Sequence, residues 1–247
     1  MKRFLKSILP QKAQTTYSNY KNYGLINPTI REIYIIKSFK FFQAKGCLFI
    51  HIPKTAGISF YEGLFNRDSF GHFTIEEYTQ LFGKRKLDRL YKCCIARDPY
   101  ERALSAYLYL IKGGRGKEID LLYQEKLSEY HDFNDFVKNG LSKGLAEDIE
   151  HFVPQTDMIT DHRGKIAVDY LGRYEDFQRS YDHISLKVTG QINKLPVKNK
   201  NNSKKSISAY SVESETLTLL SAYYKRDFDL LGYQNVQYET PGIGSYS

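Results

Sequence analysis

The stretch His51-Ile52-Pro53-Lys54-Thr55-Ala56-Gly57-Ile58-Ser59 follows the apolar run Leu48-Phe49-Ile50. It places a lysine, two hydroxyls and a glycine where a strand should turn into a helix. Backbone N–H groups at a helix start have no partner inside the helix, and they point into the preceding turn. A lysine beside them adds a full positive charge, so the junction is suited to holding an anion such as a phosphate. The common nucleoside triphosphatase loop requires Gly-x-x-x-x-Gly-Lys-Ser/Thr. Here Pro53 precedes the lysine and the glycine follows it, so magnesium coordination is not implied.

A second informative stretch runs from Cys93 to Tyr107, with Arg97-Asp98-Pro99-Tyr100-Glu101 at its centre. The pattern predicts a strand ending at Arg97 and a helix from Pro99 to Leu110. Asp98 suits the N-cap, Pro99 the first helical position and Glu101 the third. Ser105 lies about two turns into that helix. One anion held by Lys54 and another by Arg97 and Ser105 implies a ligand with phosphates at two places.

These residues resemble the sulfotransferases that use 3'-phosphoadenosine 5'-phosphosulfate, in particular the branch with Golgi carbohydrate sulfotransferases and bacterial relatives. The matching pieces are Phe49 to Ser59, Gly71-His72, and Ile95 to Tyr107, with weaker echoes at His151 to Gln155, Leu171 to Glu175 and Tyr224 to Phe228. They keep the family's order over roughly residues 47 to 233.

The resemblance implies an α/β, P-loop-like three-layer fold whose central, mostly parallel sheet is flanked by helices. It implies transfer of a sulfuryl group from that nucleotide to a hydroxyl, with a carbohydrate or glycan, neutral or acidic, as acceptor and adenosine 3',5'-bisphosphate as product. No metal is required. In this reading Lys54, Thr55, Ala56, Gly57, Ile58 and Ser59 surround the 5'-phosphosulfate, and Lys54 stabilises the leaving group. Arg97 and Ser105 hold the 3'-phosphate, a task suited to the planar guanidinium fork.

A hydroxyl acceptor also needs a group to take its proton, and histidine titrates closest to neutrality. His72 is the candidate, and it could instead position substrate or cap a turn. His151 with Gln155, and the carboxylate Glu76, are rivals. His51 sits on the strand and is expected to point into packing or the sheet edge. Arg173 and Glu175 divide equally between a structural ion pair and ligand contact. Tyr224 and Phe228 read as core.

Two other functions remain open: a nucleotide-dependent kinase, and a glycan-binding protein without catalysis. The first predicts magnesium-dependent binding of adenosine triphosphate. The second predicts a continuous basic patch and salt-sensitive binding with no donor preference.

The chain has 247 residues, 41% of them hydrophobic, enough for a substantial core. Its formal charge of +8 favours anionic partners without choosing among them; no nucleic-acid partner is expected. The run Cys47 to Ile52 is too short to span a bilayer, and Met1 to Pro10 lacks an export signal. Since the Golgi members of the family it resembles normally carry an amino-terminal membrane anchor, the resemblance implies a bacterial cytoplasmic protein, with a Golgi lumen address only for a trimmed chain. Cys47, Cys93 and Cys94 lie in apolar runs and are expected to be free, buried thiols.

Three regions are expected. Residues 1–46 are a lead-in, packed on the domain or partly mobile; residues 47–235 are the sulfotransferase domain; residues 236–247 are a tail. Within the domain, a first strand is expected from Leu48 to Ile52, helices from Ile58 to Phe65, Thr74 to Phe82, Phe133 to Val137 and Glu213 to Tyr224, and a strand, Ile166-Ala167-Val168, within Lys165 to Leu171. The basic run Lys84-Arg85-Lys86 is a solvated face, and Gly113, Gly114 and Gly116 break the helix before a loop. The segment 194–205 carries five lysines. It is either a flexible surface loop or a lid over the 3'-phosphate. The 21 tyrosines suit a sugar-binding cleft or folding alike.

Overall fold

The computed structural model of the chain describes residues 28–145, 149–195 and 210–234. Most of the lead-in, most of the lysine-rich segment and the tail lie outside the described residues. The fold is α/β, built among the described residues on a three-stranded parallel sheet. β1 (Cys47–Ile50), β2 (Tyr91–Ala96) and β3 (Tyr170–Arg173) lie in the order β1-β2-β3. Phe49 is paired with Cys93, and Cys94 with Leu171. All four residues of β1 and the last four of β2 are buried. Such continuous apolar runs are expected of parallel strands covered on both faces. The three cysteines are free and buried in these strands.

The described residues group into two compact units, one of residues 28–96 with 149–195 and the other of residues 97–145 with 210–234. In the first, α1 (Pro28–Lys45) buries Ile35, Phe39 and Phe42. Phe39 stacks on Phe82 at 3.8 Å between ring centres, and the Ser38 hydroxyl is hydrogen-bonded to that of Tyr78 at 2.7 Å. α2 (Gly57–Phe65) buries Phe60, Tyr61 and Leu64, with Phe60 stacked on Phe49 of β1 at 3.8 Å. α3 (Ile75–Phe82) opens with a complete capping box. The Thr74 hydroxyl accepts from the Glu77 N–H at 3.1 Å, and the Glu77 carboxylate accepts from the Thr74 N–H at 2.8 Å.

The basic run forms the short, exposed α4 (Lys84–Leu87) with only Leu87 inside. After β3, α9 (Phe177–Thr189) approaches so closely that a Cβ on Gly172 would meet the Ser180 side chain at 2.8 Å. The Ser180 hydroxyl accepts from the Arg173 N–H and donates to its carbonyl. Between α4 and α9 this unit also holds α8 (Gln155–Ile159).

The third strand corrects the expectation at Ile166-Ala167-Val168. Ile166 makes only an isolated bridge to Thr160, and the ladder begins four residues later, at Tyr170. The Asp169 N–H donates to the Lys92 carbonyl at 2.7 Å, which brings the chain onto β2 only at that point.

In the second unit, α5 (Pro99–Leu110) starts at the expected cap: the Asp98 side chain accepts from the Glu101 N–H at 3.0 Å. The helix ends at Leu110, and Gly113, Gly114 and Gly116 follow with positive φ. α6 (Glu118–Leu127) and α7 (Phe133–Asp135) come next, the latter running into a π-helical turn over Phe136–Gly140. The late helix divides into α10 (Ser214–Tyr223) and α11 (Lys225–Leu231). Arg102 is fully buried, its guanidinium 5.3 Å from the centre of the Tyr224 ring. Tyr224 and Phe228 are buried core residues. Tyr61, Tyr78, Tyr107 and Tyr181 are buried too, so much of the tyrosine content serves packing. Among the described residues, no helix is long and apolar enough to cross a membrane.

Candidate active site

The loop between β1 and α2 is held in an uncommon conformation. Lys54 has φ 69° and Ala56 has φ 63°, both left-handed without being glycine. Each costs about 1–2 kcal/mol. At Ala56 the chain passes from the left-handed region into the right-handed helix that begins at Gly57. That succession turns consecutive N–H groups into one concavity, and the helix start adds its positive dipole end.

The individual residues divide the work. The Thr55 side chain is fully buried and its hydroxyl donates to the Ile52 carbonyl at 2.9 Å, bracing the turn from inside. Thr55 can therefore offer an anion its backbone N–H, whereas its hydroxyl is committed. Lys54 and Ser59 are half-buried, and the Ile58 side chain is exposed. Gly57 has no room for a side chain: an added Cβ would lie 2.0 Å from Cδ2 of His51 and 2.1 Å from its Nε2.

His51 thus points into packing, one of the two orientations expected of it, beside the rings of Phe49 and Tyr61. Its ring centre lies 4.3 Å from that of His72, and its Nδ1 is hydrogen-bonded to the Ser69 hydroxyl at 2.7 Å. Burial first, then the basic groups of His72, His151 and Lys54 around it, hold His51 well below the usual histidine range. It is therefore a neutral ring at neutral pH. The same three groups place the loop lysine and the other two histidines in one electrostatic neighbourhood.

His72 is oriented from two sides. Its Nδ1–H donates to the His51 carbonyl at 2.9 Å. A carbonyl can only accept, so this bond puts the proton of the neutral ring on Nδ1 and the lone pair on Nε2. Nε2 stands 3.9 Å from a carboxylate oxygen of Glu150, and the His151 ring centre is 5.9 Å from that of His72. The backbone of His72 is fixed by Arg31 of α1, whose Nη2 donates to the His72 carbonyl at 2.9 Å. The same guanidinium is bidentate to Glu77, at 2.9 and 3.2 Å. Helix α1, the cap of α3 and His72 are consequently one hydrogen-bonded assembly.

Of the rival bases, His151 is buried within this group. Gln155 is fully buried four residues later, at the start of α8. Glu76 lies in the first turn of α3 and accepts from the Gln80 amide at 3.2 Å. Arg173 ends β3, opposite Ala96, and Glu175 is exposed.

Arg97 and Ser105 belong to the second unit. Arg97 follows the last residue of β2, and its Nη2 is 3.5 Å from a carboxylate oxygen of Glu101, one turn along α5. Both side chains are mostly shielded from solvent. Ser105 is half-buried on the same helix.

Sequence reasoning missed His51, Glu150 and Arg31. The only prior signal for His51 was its place at the mouth of the loop. Neither of the others stands in a motif.

The arrangement combines a cationic backbone cradle with an imidazole whose lone pair is fixed in direction. It suits holding an anionic group while a proton is removed from a nucleophile. A family model described as Sulfotransferase family matches residues 37–234. Comparison with curated proteins and with solved structures finds no match.

Proposed function

The chain belongs to the sulfotransferase family and is an enzyme of sulfuryl transfer, and from that premise we propose 3'-phosphoadenosine 5'-phosphosulfate as donor and a carbohydrate hydroxyl as acceptor. The observation that carries the proposal is the loop from His51 to Ser59. It has no triphosphatase signature, yet it presents Lys54 and the N–H groups of a strained turn at the start of α2. When bound, the donor supplies an activated sulfuryl group on a good phosphate leaving group.

The N–H groups of Thr55, Ala56, Gly57, Ile58 and Ser59 would hold the 5'-phosphosulfate. Lys54 would neutralise the charge that grows on the departing phosphate oxygen, the kind of preorganised contact that dominates many rate enhancements. Arg97 would grip the 3'-phosphate with Ser105.

His72 would take the acceptor's proton on Nε2 as the new oxygen–sulfur bond forms and the bond from sulfur to the phosphate oxygen breaks. The imidazolium so formed would carry its new proton on the nitrogen beside Glu150, whose carboxylate would stabilise the positive charge by direct attraction. His51, uncharged, would hold His72 through its carbonyl and shape the cradle through Gly57.

The test is release of adenosine 3',5'-bisphosphate with a panel of neutral and acidic glycans. Product that forms only when donor and glycan are both present supports the proposal. Turnover of magnesium–adenosine triphosphate instead, with none of the sulfated nucleotide, overturns it.

A further inference from the structure

Among the described residues, one group of side chains is placed to close around a cation: His72, Glu150 and His151, whose ligand atoms all lie within 4.8 Å of one another. We infer that this trio binds a single divalent transition-metal ion of the zinc type, and that loading it silences the base.

Two imidazoles and one carboxylate are a nitrogen and oxygen set that suits zinc, not magnesium or calcium, which prefer oxygen throughout. With bonds of about 2.0–2.2 Å, a tetrahedral ion needs its ligand atoms roughly 3.3–3.6 Å apart. The separation from His72 Nε2 to the Glu150 carboxylate is 3.9 Å. Closure therefore asks for side-chain adjustments on the order of an ångström. Glu150 is the partner placed to supply them, because its side chain is 30% exposed.

The second observation is the tautomer. The Nδ1–H of His72 is already given to the His51 carbonyl at 2.9 Å, so the free lone pair is on the nitrogen that faces Glu150. A histidine that ligates a metal through one nitrogen commonly donates its other N–H in this way, fixing ring orientation. His51 is excluded as a fourth ligand, since its Nδ1 is bonded to Ser69 and its Nε2 stands over Gly57. The fourth position is left to a solvent molecule, giving the composition of an open zinc site. Lys54 lies close enough for its charge to act on His51, so it opposes a second cation. The affinity should fall below that of a closed structural zinc site.

The site itself does not depend on the sulfotransferase chemistry; the inhibition rests on His72 being the base. An ion on Nε2 takes the lone pair that would receive the acceptor proton, so metal and turnover exclude each other.

The experiment is a titration of chelator-stripped full-length protein with cobalt(II), followed by its ligand-field absorption, and then with zinc by calorimetry. One equivalent of tetrahedral-type cobalt absorption is expected. It should vanish in His72→Ala, and affinity should weaken at least tenfold in Glu150→Gln and in His151→Ala, with circular dichroism confirming that each variant is folded. Absent absorption in the wild type, or equal affinity in folded Glu150→Gln and His151→Ala, overturns the site. Zinc should also inhibit turnover with the same midpoint as its binding. If the spectral site is present and turnover is unaffected at saturating zinc, the inhibition is refuted, and the failure lies in the assignment of His72 as base.

Discussion

Replacing Gly57 by alanine tests how the cradle and the histidine group are joined. The new methyl would lie 2.0 Å from Cδ2, 2.1 Å from Nε2 and 2.8 Å from Cγ of His51. Ordinary contacts between such atoms are about 3.5–4.0 Å, so the ring would have to retreat by roughly 1.5–2 Å. It has nowhere to go. His51 is 5% exposed, lies between Tyr61 at 5.7 Å and His72 at 4.3 Å, and is tied to Ser69. Overpacking of this kind costs about 1–3 kcal/mol, and loss of the Ser69 hydrogen bond adds about 1 kcal/mol. The helix gains at most about 1 kcal/mol from exchanging glycine for alanine.

The balance is a destabilisation of about 2 kcal/mol, with turnover lost because His72 hangs from the His51 carbonyl. Urea unfolding of the wild type, Gly57→Ala, His51→Ala and the double variant measures it. With the ring removed, the second substitution should cost almost nothing, so the cycle should show a coupling of about 2 kcal/mol. An equal cost of Gly57→Ala with and without the His51 ring would refute the contact.

Ala56→Gly should leave stability unchanged or raise it by up to about 1 kcal/mol by relieving the left-handed alanine, with donor affinity kept; a clear loss of stability in urea melts would show that the turn is not strained. Arg31→Ala removes the clamp on Glu77 and on the His72 carbonyl. It should destabilise by about 1–3 kcal/mol and lower kcat, while the KM for donor stays constant; a change confined to KM would contradict a positioning role. Glu150→Gln should cut kcat about tenfold or more by leaving the His72 imidazolium uncompensated, again without loss of donor binding. Burial pushes the Cys47 thiol up to about 12 and those of Cys93 and Cys94 well above their ordinary range. The reactive thiolate is therefore absent at neutral pH. All three should resist iodoacetamide in the folded protein and react in urea, as mass spectrometry would show.

The parts of the fold legible in the sequence were those fixed by local chemistry. The strand before the lysine loop, the Asp98 cap with Pro99 behind it, and the Thr74 start of α3 are each decided within four residues; the two caps form as expected, and the strand forms as Cys47–Ile50, ending two residues before the expected Ile52 and leaving His51 just beyond it. β3 was misplaced because Ile166-Ala167-Val168 is the more apolar segment. The true strand is selected by a backbone bond from Asp169 to β2 and by the close fit of Gly172 against Ser180, neither of which is a local property. The same distinction governs the site. The loop from Lys54 to Ser59 announces itself by spacing. The meeting of His51, His72, Glu150 and His151 is tertiary, and Arg31 reaches it from a helix that precedes every motif. The inward turn of the Thr55 hydroxyl was equally hidden, because a hydroxyl in an anion loop reads the same whether it faces ligand or backbone.

The central claim is that Lys54 and the turn around it grip the sulfated nucleotide while His72 acts only on the acceptor. Calorimetric binding of adenosine 3',5'-bisphosphate to the wild type, Lys54→Ala and His72→Ala tests it most directly, with turnover recorded on the same samples. The account predicts that affinity collapses in Lys54→Ala, whereas His72→Ala binds like the wild type and loses turnover by about 10²–10⁴-fold. Undiminished nucleotide binding in folded Lys54→Ala would contradict it.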